Sequence, residues 1–157
     1  MNQVILRKAV AAEMAEIIQF ETTVFTGEQG IPSDMIVLPP ERKPQWWCAA
    51  DGKRVIGTVA SFEEDGKVHM GRFAVRPDCR GQRIGPRLVR YAMENLFAQG
   101  VAEIHMEARD VTVKILSELG GEITGKPFKF YEGMVTPMIM RRENFFKHKD
   151  DTSALSK

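Results

Sequence analysis

Apolar residues recur along this chain with two periods, and the switches between them mark its elements. Val4-Ile5-Leu6-Arg7 is a short apolar run that predicts a first strand. Within 11–25, Met14, Ile17, Ile18, Phe20 and Val24 form roughly one helical stripe. Residues 26–44 break both periods with Gly27, Gly30, Pro32, Pro39, Pro40 and Pro44. The expectation there is a long irregular loop, of a kind that usually serves function in a compact domain, with room for a short helix near 32–36. Trp46-Trp47-Cys48-Ala49-Ala50, a turn at Asp51-Gly52 and an apolar run over 55–62 predict a hairpin. A second turn at Glu64-Asp65-Gly66-Lys67 leads into a strand over 68–75.

Leu88, Val89, Ala92, Met93, Leu96 and Phe97 then give a helical core face that Gly100 ends. Glu103-Ile104-His105-Met106 predicts a fifth strand, and 111–119 a helix stopped by Gly120-Gly121. Glu122-Ile123-Thr124 and 135–140 predict two closing strands. The order β-α-loop-β-β-β-α-β-α-β-β describes an α/β fold with a mixed, mostly antiparallel central sheet flanked by helices. Residues 1–142 read as a single domain and 143–157 as a polar, frayed C-terminal tail. Alternation would bury one of Trp46 and Trp47 and leave the other partly exposed. Met134, Met138 and Met140 are expected to fill core space.

At 157 residues the chain fits one domain with a sizeable core. Its formal net charge of +1 supplies no global basic field for nucleic acid. Arg72, Arg76, Arg80, Arg83, Arg87 and Arg90 nevertheless fall within nineteen residues. A local cluster in a neutral chain points to a small anionic ligand. Cys48 and Cys79 are too few for a disulfide scaffold and have no paired histidines for a metal site. No apolar run approaches the ~20 residues that span a bilayer. Met1-Asn2-Gln3-Val4 opens no signal-peptide pattern. The expectation is a cytoplasmic protein with reduced thiols, no metal, no nucleic acid and no membrane partner.

The chemistry concentrates in Arg76-Pro77-Asp78-Cys79-Arg80-Gly81-Gln82-Arg83-Ile84-Gly85-Pro86-Arg87-Leu88. Here the strand Phe73-Ala74-Val75 passes through a short loop into an amphipathic helix. Glycines let backbone amides approach a ligand, and a helix N-terminus presents free N–H groups and a positive dipole. That combination holds phosphate, and arginines add fork-shaped contacts.

This order, with Arg80-Gly81-Gln82-Arg83-Ile84-Gly85, resembles the GNAT superfamily of N-acetyltransferases, whose signature is Gln/Arg-x-x-Gly-x-Gly/Ala. The resemblance extends over about residues 4–142. Phe25-Thr26-Gly27-Glu28-Gln29-Gly30-Ile31-Pro32 and the stretch 126–140 look like its ElaA-like branch. It implies a GNAT-type sheet and acetyl-CoA, or another acyl-CoA, as co-substrate. Arg80, Gly81, Gln82, Arg83, Ile84 and Gly85 would cradle its diphosphate, and Phe73, Ala74 and Val75 would line its pantetheine arm. The implied acceptor is a small-molecule amine, and a homodimer is open because many relatives dimerise. Several positions depart from the family. Arg83 replaces the motif's first glycine, tolerable if its φ stays negative. Pro86 falls where a first helical residue belongs. Leu116 stands where a tyrosine often protonates the leaving thiolate, and Gly71, Glu107 and Thr136 replace a glutamate, an asparagine and a histidine.

Transfer to an amine requires the amine to lose a proton, the carbonyl to be polarised and the thiolate to leave. Glu28, in the glycine-containing loop, is the first candidate for base or substrate contact; a solvated loop glutamate is the plainer alternative. His69 on the fourth strand would share a face with Gly71 and Phe73, and a histidine suits a general base. Tyr131 would replace the missing phenol if the loop Phe128-Lys129-Phe130-Tyr131 folds over the thiol. Cys79 has no histidine near it in sequence, His105 reads as packing, and Glu28 with Asp34 leans toward a cationic amine. Two functions follow: a direct N-acyltransferase, or an acyl-CoA binder or sensor that has lost its acid and base.

Overall fold

A computed structural model describes residues 4–155. Of Met1-Asn2-Gln3-Val4, where no signal-peptide pattern is expected, the first three lie outside the described residues. Strand β1 (Val4–Lys8) and a single 3-10 turn precede helix α1 (Met14–Gln29). Strands β2 (Gln45–Asp51), β3 (Arg54–Glu64) and β4 (Lys67–Val75) follow, then helix α2 (Ile84–Ala98). After β5 (Glu103–Ala108) and α3 (Asp110–Glu118) come β6 (Glu122–Ile123), β7 (Phe128–Phe130), β8 (Gly133–Arg141) and α4 (Arg142–Leu155). The strands form one eight-stranded sheet in the order β1-β2-β3-β4-β5-β8-β6, with β7 on β8. Among the described residues only β4 and β5 pair in parallel.

Helices cover both faces of the sheet. On one face α2, α3 and the start of α4 enclose Trp47, Leu88, Phe97, Ile104, Leu116 and Phe145. On the other, α1 and the segment through Ile36 and Leu38 enclose Ile17, Phe20, Trp46 and Phe62. Trp46 and Trp47 are therefore both buried, each in its own layer, because neither face of β2 is left to solvent. Met138 and Met140 fill core, whereas Met134 is exposed beside β7.

Two boundaries differ from the expectation. Helix α1 continues to Gln29, so Thr26, Gly27 and Glu28 form its last turn rather than a loop. Gly30 stops it in the left-handed conformation (φ 69°), and the N–H groups of Gly30 and Ile31 both reach the Phe25 carbonyl. At the other end, residues from 142 begin a helix, not a frayed tail. Phe145 is fully buried with its ring 5.2 Å from that of Phe97. Complete burial of such a ring is worth about 2–3 kcal/mol, enough to dock the helix.

Candidate active site

The loop after β4 is the expected anion cradle, and its backbone turns sharply into α2. Pro77–Cys79 make a 3-10 turn, Arg80 is extended, and Gly81 turns the chain at φ 84°. Arg83 then caps α2 at φ 62°. The expected negative φ at Arg83 is thus corrected, and such a conformation costs a non-glycine residue about 1–3 kcal/mol. Pro86 is the third helical residue rather than the first, since α2 starts at Ile84. Its missing N–H lies in the first turn, where no intrahelical acceptor exists. The amides from Gly81 to Gly85 are left for a ligand, and no acidic residue sits in the first turn of α2. A Cβ on Gly85 would lie 2.8 Å from the Phe73 ring, so this glycine lets α2 press directly onto β4. Nothing lies within 4 Å of a Cβ on Gly81, and the cradle is open on that side.

Beside the cradle the sheet parts. β4 and β5 share a single paired position, His69 with His105, and separate beyond it. The backbone of β4 from Gly71 to Val75 keeps its ladder to β3 and leaves its other edge unpaired by β5. A cavity of about 360 Å³ fills this opening, lined among others by Phe73, Val89 and Leu116 on one side and by Phe25, Phe62 and Phe130 on the other. The unpaired backbone edge of β4 and the apolar slot beside it have the shape to take an amide-bearing arm such as that of an acyl-CoA.

A bulge sets which way β4 faces. Thr58 pairs with Ala74 and Ala60 with Gly71, so Arg72 and Phe73 together oppose Val59. Arg72 takes φ 58° and is held there by its side chain. Its Nη2 donates to the Met35 carbonyl at 2.8 Å, and its guanidinium lies 5.2 Å over the Phe62 ring. His69 and Gly71 face Phe62 on the α1 side, the His69 ring stacked on it at 5.7 Å. Phe73 packs against Gly85 on the α2 side. The expected shared face of His69, Gly71 and Phe73 therefore fails at Phe73, because the extra residue reverses the alternation.

His69 lines the cavity with its ring 5.5 Å from that of His105. Burial is the main influence on it and lowers its pKa below the ordinary histidine value, so its imidazole is neutral at physiological pH. Glu28 is not among the cavity residues. Both its oxygens accept from Arg80, at 3.2 Å from Nη1 and 3.0 Å from Nη2. Arg80 also donates Nε to the Val75 carbonyl at 3.1 Å. Glu28 thus meets Arg80 of the expected cradle. Tyr131, at φ 53° in the β7–β8 turn, is exposed and donates its hydroxyl to Met35 Sδ at 2.8 Å. It bridges two loops and does not line the cavity, whereas Leu116 does. Ala74 and Val75 are buried beside the opening. Gln82 is exposed in the cradle, and Ile84 anchors α2 in the core. Cys79 is buried and burial raises its thiol pKa, the opposite of an activated nucleophile.

Sequence reasoning passed over several cavity residues. Glu64, Glu107 and Arg109 all line it, as do Gln29 and Arg42. The signal was present in β5, where His105, Glu107 and Arg109 alternate and so share the face of His69. Among the described residues no group of three His, Cys, Asp or Glu side chains is placed to hold a metal ion. No helix among them is long and apolar enough to cross a membrane.

The pattern of the acetyltransferase (GNAT) family matches residues 12–114. No curated protein matches the chain in sequence. Solved structures share its fold at low identity. Escherichia coli ElaA is 15% identical, over 90% of this chain and 100% of its own, with a TM-score of 0.75. A GNAT-family acetyltransferase from Streptococcus pneumoniae is 16% identical, over 88% and 99%, with a TM-score of 0.73. The aminoglycoside acetyltransferase AAC(6')-Ib, solved with coenzyme A and kanamycin, is 18% identical, over 92% and 98%, with a TM-score of 0.66.

Proposed function

The chain belongs to the acetyltransferase (GNAT) family, and from that premise we propose that it is an acyl-CoA-dependent N-acyltransferase, using acetyl-CoA, that acts on a small amine. One observation carries the reading: among the described residues the single parallel strand pair shares one paired position, His69 with His105, and a cavity lies where β4 and β5 part. Coenzyme A held by this family's neighbour AAC(6')-Ib supports the choice of donor.

In this reading the amides of the cradle, with Arg80 and Arg83, bind a diphosphate. The unpaired edge of β4 orients the pantetheine arm toward the cavity, with Phe73 and Val75 on the α2 side. His69 accepts the proton that the amine nitrogen loses on attack, and its burial keeps the imidazole available to do so. Holding two reactants in line supplies about 7–11 kcal/mol of the barrier, and a positioned base adds about 10²–10⁴-fold. Glu28 and Tyr131 take no part in proton transfer: the first serves the cradle and the second clasps the cavity mouth. A thioester is a fair acyl donor, so transfer proceeds without a phenol at position 116, at reduced rate.

A second reading is an acyl-CoA binder or sensor. Leu116 at the place of the proton donor and the Tyr131 hydroxyl turned to Met35 favour it. Calorimetric titration with coenzyme A and thiol release from acetyl-CoA across an amine panel separate the readings. The transferase predicts heat on binding and amine-dependent thiol release that His69→Ala reduces. Binding without release on any amine supports the sensor, and absence of binding overturns both.

A further inference from the structure

The cavity carries a cation with no oxygen to answer it. Arg109 follows β5 and caps α3, so its side chain leaves the sheet on the face shared by His105 and Glu107. Its guanidinium lies 5.7 Å over the Phe130 ring and crosses Gly133, whose missing Cβ leaves the space that Nη1 occupies. Nη2 is buried and has no hydrogen-bond partner among the described residues. No carboxylate offsets its burial, which alone pulls its pKa below the ordinary guanidinium value.

The neighbouring cation is placed differently. Arg72 is engaged by the Met35 and Ile36 carbonyls. Among the described residues only Arg109 combines a place in the cavity wall with a buried, unanswered N–H. A buried charged donor is expensive to leave unpaired, and a planar guanidinium matches a carboxylate in two parallel bonds. Glu64 and Glu107 line the same cavity and are exposed, so one end of it attracts an ammonium while Arg109 draws an anion.

Resting on the acyltransferase reading above, we infer that the acceptor is an amine that also bears a carboxylate, and that Arg109 binds the carboxylate. The Phe130 ring lies beneath the guanidinium, and Gly133 leaves it room. His105 and Arg109 are four residues apart, about 13 Å of extended chain, so the span between amine and carboxylate must be found by a homologous series rather than assumed.

The test uses matched pairs: the L-amino acids and a series from glycine to 6-aminohexanoate, each as the free carboxylate and as the carboxamide. Thiol release from acetyl-CoA gives kcat/KM for each. The expected result is at least a tenfold preference for the carboxylate in one pair, carried in KM. That preference disappears in Arg109→Gln and partly returns in Arg109→Lys, with coenzyme A affinity unchanged. Carboxamides accepted equally well, a preference that survives Arg109→Gln, or a variant that loses coenzyme A instead would overturn the inference. If no amine is turned over although coenzyme A binds, the transferase reading fails on its own. Thermal shift of the coenzyme A complex by the same pairs then decides: a carboxylate-dependent shift lost in Arg109→Gln supports the site, and none overturns it.

Discussion

In the proposed complex a diphosphate competes with Glu28 for the Arg80 guanidinium, and that competition sets a measurable pattern. The pair is bidentate but both side chains are about half exposed, 48% for Arg80 and 40% for Glu28. Such a pair is worth about 0.2–1 kcal/mol. A hydrogen bond from a cation to phosphate contributes about 1.5–3 kcal/mol. Removing Arg80 from the native chain therefore costs the difference, about 0.5–2.8 kcal/mol, or roughly 2- to 100-fold in the coenzyme A Kd. Glu28→Gln keeps the side chain's size and removes its charge, so it should tighten coenzyme A up to about fivefold. In the Glu28→Gln background Arg80→Ala should cost the full contact, about 10- to 150-fold. Calorimetry on the four proteins of this cycle, at low and moderate salt, reads the coupling, and pantetheine without phosphates serves as the control ligand. Weaker coenzyme A binding in Glu28→Gln, or an equal loss from Arg80→Ala in both backgrounds, would refute the exchange.

Three further outcomes are expected. Glu21 is fully buried on α1, accepts from Thr58 at 3.0 Å, and burial raises its pKa well above the ordinary 4.5. The folded chain then keeps a proton that the unfolded chain loses, so stability falls as pH rises above about 4.5, by up to about 1.4 kcal/mol per unit until the folded pKa is passed. Glu21→Gln should remove this slope in urea unfolding between pH 5 and 8, and parallel curves for the two proteins would count against it. The kcat/KM of the native enzyme should fall on the acid side with a midpoint below about 6.5, because His69 must be neutral and its pKa is lowered by burial. A limb at or above that value, or one that survives His69→Gln, rejects His69 as the base. Leu116→Tyr should raise the transfer rate by up to about 10²-fold if the thiolate lacks a proton donor; unchanged turnover in a folded, coenzyme A-binding variant argues that departure of the thiol is not limiting.

The sheet, the helices and the cradle were legible in the sequence because each leaves a local mark. Apolar runs between turn residues wrote β2 to β4, a six-residue apolar stripe wrote α2, and Gly81 and Gly85 marked the turn into it. What failed to show has non-local causes. The end of α1 depends on Gly30 and on the Phe25 carbonyl, so Gly27 looked like a breaker when it is an exposed helical residue. The helix from 142 reads as polar because Phe145 and Phe146 are its visible apolar pair, and their docking site belongs to Phe97, far off in sequence. Glu28 sits in a stretch rich in glycine and proline, which placed it near an acceptor by analogy; only the packed structure brings it to Arg80. Arg109 was hidden in the arginine count, since nothing local separates an answered guanidinium from an unanswered one.

In the proposed transferase the bulge at Arg72 lets one strand serve two ligands. A regular β4 would put His69, Gly71 and Phe73 on one face, and a base beside the amine would then share its side with the residue that supports α2. By taking two residues against Val59, the strand presents His69 and Gly71 to the α1 face and Phe73 and Val75 to the α2 face. The left-handed Arg72 costs about 1–3 kcal/mol in backbone strain. Its hydrogen bonds to the Met35 and Ile36 carbonyls and its contact with Phe62 offset that cost, and they also fasten the segment that walls the amine side of the cavity. The same arginine therefore reverses the strand and fixes the wall opposite it, so base, wall and anion cradle are positioned by a single local irregularity.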